Sequence, residues 1–305
     1  MTEDHRWVLV RWYGLTETKR FSNSPTNWPA ANFSTGTVFK DQKHRKLTPP
    51  IGVAQTESHQ MQNPIRDTLA EGKVSLGSWL NLASAASAET MAAAGFTWLV
   101  VDAEHSEYDL GRIANVFRGI EARGAIPLAR AWDHNPVTLS RILDAGAYGL
   151  VIPHVSTPQQ AENLAQAMHY PPQGRRSGGA GRNLTLPDYF QDANDQVLCI
   201  PQIEDMQGIE NAEAIAQVEG VDIGFLGPGD LAWSMGVTIG HPDHEAALRR
   251  FREGWARSGK PYGIPVDVAK VRQRIQEGYR FIGLASDYNL LLNAGRAAIE
   301  EATRG

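Results

Sequence analysis

The chain has 305 residues, of which 42% are hydrophobic and 21% charged, and carries a formal net charge of −5. This is the composition of a globular protein able to bury a full core, and the acidic balance offers no basic footprint for nucleic acid. A single cysteine, Cys199, excludes an intrachain disulfide framework and suits a reducing cytoplasm, and no apolar run reaches the length of a signal-peptide core or a membrane span.

Residues 1–60 differ from the remainder. The stretch "FSNSPTNWPAANFSTGTVFKDQKHRKLTPP" is rich in Ser, Thr, Asn and Pro and has neither helical nor strand periodicity. Such a segment buries too little apolar area to offset its ordering entropy. Residues 1–60 are therefore expected to be an extension, disordered or not native, with Met61 as the alternative start. The remaining 61–305 has the length of one (β/α)8 barrel, about 250 residues.

From Met61 short apolar runs alternate with helical stretches. The runs are "VSLGSWL" (74–80), "WLVVD" (98–102), "IPLAR" (126–130) and "GLVIP" (149–153), then "LCIPQIE" (198–204), "DIGFLG" (222–227), "PYGIP" (261–265) and "FIGLAS" (281–286). Helices are expected in "SAETMAAAG", "PVTLSRILDAG" and "TPQQAENLAQAMHY". Gly95 and Gly146 suit C-terminal caps, and Thr157-Pro158 suits an N-cap with proline at the first helical position. Eight strands alternating with helices predict a parallel sheet closed into an α/β (β/α)8 barrel. An open doubly wound sheet would usually carry a G-x-G-x-x-G after its first strand, where this chain reads "SWLNLASAAS".

In such a barrel the carboxyl ends of the strands converge on one mouth. Those ends carry Trp79, then Asp102 with Glu104 and His105, then Arg130, His154, Gln202, Glu204 and, past "FLGPG", Asp230. Glu204 could be an exposed loop residue and Asp230 a helix cap. Following adjacent strands, however, their carboxylates should be close. Two like charges about 4 Å apart repel by roughly 4 kcal/mol at an effective dielectric of about 20, so one must protonate or a cation must lie between them. Oxygen ligands favour Mg²⁺ or Mn²⁺, with Co²⁺ as an alternative. His105, flanked by acids, suits proton transfer near neutral pH. Asp102 orders water or holds the loop, Glu104 is equally well structural, and Arg130 needs an anionic partner such as an enolate or carboxylate. Weaker signals are His241 and His244 in "HPDH", the loop "RRSGGAGRN" (175–183) as an anion site, and His154, to which no role is assigned.

The stretches "GSWLNLAS", "AGFTWLVVDAEH", "PLARAWDHNPVTLSRILDAGA", "HYPPQGRR", "QIEDMQGIENAEAIAQVEGVD" and "FLGPGDLAWSMG" resemble the HpcH/HpaI family of metal-dependent, class II pyruvate aldolases across 61–305. The resemblance implies a barrel of the phosphoenolpyruvate/pyruvate-binding type, commonly a hexamer exchanging C-terminal helices. It implies that Glu204 and Asp230 are metal ligands, that pyruvate chelates the same divalent cation, and that His105 acts through metal-bound water. Arg130 would stabilise the enolate, and Trp79, Gln202 and the backbone at Gly229 would border the pyruvate site. Asp144, which spacing alone marks only as a helix end, matches an aspartate that orients the histidine, across a subunit boundary in some assemblies. The chain departs from the family at "EHSEYD" for "EHAPND", in a shorter segment after "YPPQGRR", and at Pro265; the aldehyde partner is therefore not carried over.

The expected reaction is reversible aldol cleavage of a 4-hydroxy-2-oxo acid to pyruvate and an aldehyde. Oxaloacetate-type decarboxylation, a carbon–carbon ligation or another lysis on the same enolate site, and a non-catalytic metabolite-binding barrel, are the alternatives. A Schiff-base route is disfavoured because, past residue 60, only Lys73, Lys260 and Lys270 occur, and none is expected at a strand's carboxyl end.

Overall fold

The structure, a computed structural model, describes residues 61–304 apart from Pro187; the extension expected over 1–60 lies outside the described residues. The first half runs α1 (Pro64–Ala70), β1 (Ser75–Leu80), α2 (Ala85–Ala93), β2 (Trp98–Asp102), α3 (Leu110–Glu121), β3 (Ile126–Arg130), α4 (Pro136–Asp144) and β4 (Gly149–Ile152). It continues through α5 (Pro158–Met168), α6 (Tyr189–Gln196), β5 (Leu198–Ile203), α7 (Met206–Glu210), α8 (Ala212–Ala216) and β6 (Gly224–Leu226). The last elements are α9 (Pro228–Ser234), α10 (Pro242–Ala256), β7 (Tyr262–Val266), α11 (Val271–Gln276), β8 (Phe281–Ser286) and α12 (Asp287–Thr303). The eight strands pair in sequence order, all parallel, and β8 closes on β1. No helix among the described residues is long and apolar enough to cross a membrane.

Local chemistry sets the helix ends. Asn63, Ser84, Asp109, Asn135 and Thr157 each cap a helix with a side-chain oxygen, and Thr157 with Gln160 forms a reciprocal capping box. Gly95 and Gly146 follow their helices at φ of 103° and 109°, where a Cβ would be strained.

Alternation along the strands divides the apolar residues between two cores. Trp98 and Val100, Leu128, Leu198 and Ile200, Phe225 and Phe281 fill the barrel interior, which Ile65 and Leu69 of α1 also join. Leu99, Val101, Ala129, Cys199 and Ile203 face the helices. The interior is tight: Trp98 stacks on Phe281 with ring centroids 4.0 Å apart, and a Cβ at Gly77 would lie 1.9 Å from the Trp98 ring. The same two-residue period carries Asp102, Arg130, Gln202 and Glu204 inward at the carboxyl ends of β2, β3 and β5.

Away from the mouth's centre, Arg274 of α11 is buried and holds Glu245 at 2.9 Å and Glu277 at 2.8 Å. Its hydrogen bond draws the Glu245 carboxyl below the usual range. At Glu277 burial pushes upward, but Arg274 and the neighbouring donors together bring the carboxyl down. Depressed carboxyls stabilise the fold above their unfolded pKa, and that contribution is lost as pH falls through the folded value. Arg274→Leu should therefore cost about 2 kcal/mol at neutral pH, allowing for the partial exposure of both carboxylates. In urea titrations the gap to wild type should narrow below about pH 4; an equal gap at both pH values would contradict the pairing.

Candidate active site

The mouth is organised by one in-register pair. Asp102 and Arg130 are cross-strand partners of β2 and β3, and both are buried. Arg130 Nε donates to Asp102 Oδ1 at 2.8 Å and Nη2 to Oδ2 at 2.7 Å, a bidentate fork. Asn81 donates to Asp102 Oδ2 at 2.9 Å and the His105 backbone N–H to Oδ1 at 3.3 Å. Of the two roles expected for Asp102, holding the loop is the one its bonds describe: protein donors occupy both oxygens. The Arg130 guanidinium also lies 4.8 Å from the Trp79 ring centroid and 3.0 Å from Glu104.

Glu104 extends this network. Its Oε1 is 3.2 Å from His154 Nε2, while His154 Nδ1 is 3.0 Å from Glu204 Oε1. His154 thus bridges the guanidinium side of the mouth to Glu204, a role its position after β4 did not reveal. It sits at φ 56°, the left-handed region costly for a non-glycine residue, and its N–H donates to Glu204 Oε1 at 2.6 Å.

Glu204 is buried rather than an exposed loop residue. Burial pushes its carboxyl up, opposed by the donors Gln202 and His154; the nearby Asp230 charge pushes the same way as burial. Gln202 Nε2 donates to Glu204 Oε2, and Gln202 Oε1 is buried without a partner among the described residues. A Cβ at Gly227 would lie 2.5 Å from Glu204 Oε2 and 2.9 Å from its Cβ, so only glycine lets this turn pass the carboxylate. Gly227→Ala should displace Glu204 and weaken Mn²⁺ binding by 10-fold or more, an order of magnitude typical of disturbed ligand support; calorimetric titration with Mn²⁺ checks it, and wild-type affinity would contradict the role given to Gly227.

Asp230 lies in the first turn of α9, where Gly227 is the cap, so the helix-cap alternative does not describe it. It lines a cavity of about 380 Å³ together with Trp79, Asp102, Arg130, Gln202 and Gly229. A Cβ at Gly229 would meet no protein atom within 4 Å, leaving the backbone open to a ligand. Among the described residues no three His, Cys, Asp or Glu side chains are arranged to close on an ion by themselves. Two carboxylates beside an open cavity do fit a hard cation that keeps water and accepts substrate oxygens.

Other sequence expectations resolve differently. His105 stands at the rim, its side chain 59% exposed and 3.5 Å from Glu104, and is not on the cavity wall. Asp144 ends α4, which runs back along the barrel, and pairs with the buried Arg176 at 2.7 Å; within its own chain it does not meet His105. In the loop 175–183, Arg176 Nη2 pairs with Asp144 and Arg182 with Glu121, while Arg176 Nε and Nη1 are buried without a hydrogen-bond partner among the described residues. Lys270 is corrected: it closes a short turn (Val268–Lys270) after β7 and lines the cavity. It is exposed there, without the desolvation that an imine-forming lysine needs.

The closed parallel barrel carries Trp79, Asp102, Arg130, Gln202 and Asp230 on one cavity at its mouth, and the family and relatives of the chain make it a carbon–carbon lyase. The sequence model of the HpcH/HpaI aldolase/citrate lyase family matches residues 75–294, and the chain belongs to that family. It is 34% identical over 239 residues to 5-keto-4-deoxy-D-glucarate aldolase of Shigella boydii serotype 18, covering 76% of this chain and 93% of that one. Among solved structures, a family protein from Burkholderia cenocepacia J2315 is 36% identical, with TM-score 0.76 over 79% of this chain and 99% of that one. An HpcH/HpaI aldolase from Desulfitobacterium hafniense DCB-2 is 26% identical, with TM-score 0.74 over 78% and 96%.

Proposed function

We propose that the chain catalyses reversible aldol cleavage of a 4-hydroxy-2-oxo acid to pyruvate and an aldehyde, with a divalent cation held by Glu204 and Asp230. The supporting observation is the meeting of Asp230, Gln202 and Arg130 on one cavity wall, with Glu204 beneath Gly227. Bound between the carboxylates, Mg²⁺ or Mn²⁺ would supply Lewis acidity toward the oxo group. Of Arg130's five N–H groups two are spent on Asp102, and Nη1 lies 3.0 Å from Glu104 without a hydrogen bond to it, so N–H groups remain for the oxygen that gains charge as the enolate forms.

His105 takes the 4-hydroxyl proton through water, the C3–C4 bond breaks, and the aldehyde leaves. The proton then returns to C3 and pyruvate is released. Trp79 and Gln202 orient the oxo acid. In a homo-oligomer, Asp144 of an adjacent copy would orient His105. Helix α12 supports exchange between copies, since Leu291 and Ile299 are each 67% exposed along it.

The test follows pyruvate release from a series of 4-hydroxy-2-oxo acids in chelator and after returning Mg²⁺ or Mn²⁺. His105→Ala should lower kcat about 10³-fold, within the range for losing a general acid–base, and leave Mn²⁺ affinity unchanged. Turnover that survives chelator, or is indifferent to the substitution, contradicts the mechanism.

A further inference from the structure

We infer that His244 is a positioning residue that sets the aim of Asp230, and with it the strength of divalent-cation binding; this rests on reading Glu204 and Asp230 as the ligands. His244 is wholly buried in the first turn of α10. The helix beyond it is anchored by Ala247, Leu248, Phe251 and Trp255, all buried, and packs on α7 and α8. A buried imidazole is costly unless both nitrogens are satisfied, and here both are. The Gly240 N–H donates to Nδ1 at 3.3 Å, which leaves Nε2 to carry the proton it donates to the Pro228 carbonyl, 2.9 Å away.

Pro228 opens α9, and Asp230 lies two residues further on. Among the described residues the Asp230 carboxylate has no hydrogen-bond partner, so its direction is inherited from the backbone of the turn. That backbone is tied at Gly227, whose N–H donates to Ile203 O at 2.9 Å, and at Pro228 by His244. The imidazole therefore transmits the rigidity of α10 to the ligand turn. It also lines the same cavity. Metal binding by "HPDH" itself is not what the geometry supports: His241 caps α10 by accepting from the Asp243 N–H, and both nitrogens of His244 are taken.

The experiment measures Mn²⁺ affinity by calorimetry and the Mn²⁺ EPR signal for wild type, Glu204→Gln, and His244→Leu, →Asn and →Gln, with melting temperatures alongside. His244→Leu should bind Mn²⁺ about 10- to 100-fold more weakly, the range for lost support of a metal ligand. Gln places an amide N–H near the position of Nε2 and should restore binding. Asn ends near Nδ1, cannot reach Pro228, and should stay weak. This pair decides the matter even if the Leu variant fails to fold. A folded Asn variant that binds like wild type, or a Gln variant as weak as Asn, overturns the inference. Absence of binding in wild type would instead refute the ligand pair; binding lost in Glu204→Gln but kept in every His244 variant refutes the inference alone.

Discussion

With Glu204 and Asp230 as the proposed ligand pair, Glu204→Gln should reduce Mg²⁺ and Mn²⁺ affinity by at least about 100-fold and reduce turnover with it, since one of two anionic ligands is removed. The substitution keeps the shape. Gln202, whose Oε1 is without a partner among the described residues, can turn its amide to accept from the new side-chain N–H₂. The metal-free variant should also melt higher than wild type. Because burial raises the Glu204 carboxyl, the folded protein binds a proton more readily than the unfolded chain. Stability in chelator should then fall as pH rises above the unfolded carboxylate value of about 4.3, and this slope should flatten in the variant. A Mn²⁺ titration indistinguishable from wild type would remove Glu204 from the ligand set.

Arg130→Ala should be damaging in two separable ways. It leaves the buried Asp102 and the half-buried Glu104 without the guanidinium beside them, at a cost of about 3–5 kcal/mol to the fold. On the proposed mechanism it also removes the charge facing the enolate, a loss of about 10³-fold in kcat. Arg130→Lys separates the two effects. An ammonium keeps the charge but cannot reproduce the fork to Asp102, so urea midpoints should recover in part while kcat stays about 100-fold low. A lysine variant with wild-type kcat would show that the fork is dispensable.

The barrel was legible because a strand buried on both faces writes itself as an apolar run. "WLVVD", "IPLAR" and "FIGLAS" coincide with β2, β3 and β8 to the residue. "DIGFLG" shrinks to Gly224–Leu226, because Asp222 is committed to Arg66 at 2.8 Å and Gly227 turns into α9. Residues placed by the ends of strands were readable as a group at the mouth. Residues placed by contacts between distant segments were not. His154 bridges Glu104 and Glu204, Lys270 reaches the cavity from the short turn after β7, and His244 contacts a loop sixteen residues earlier. Each depends on a neighbour that no local period encodes.

The register between β2 and β3 has a further consequence. Their alignment places a carboxylate directly opposite a guanidinium at the top of the barrel. Sliding either strand by one position would swing its charged terminus toward the helix layer, stranding an ion in hydrocarbon. The pair at the mouth thereby also proofreads the assembly of the sheet, because a misthreaded barrel would leave one of its charges unpaired in the helix layer.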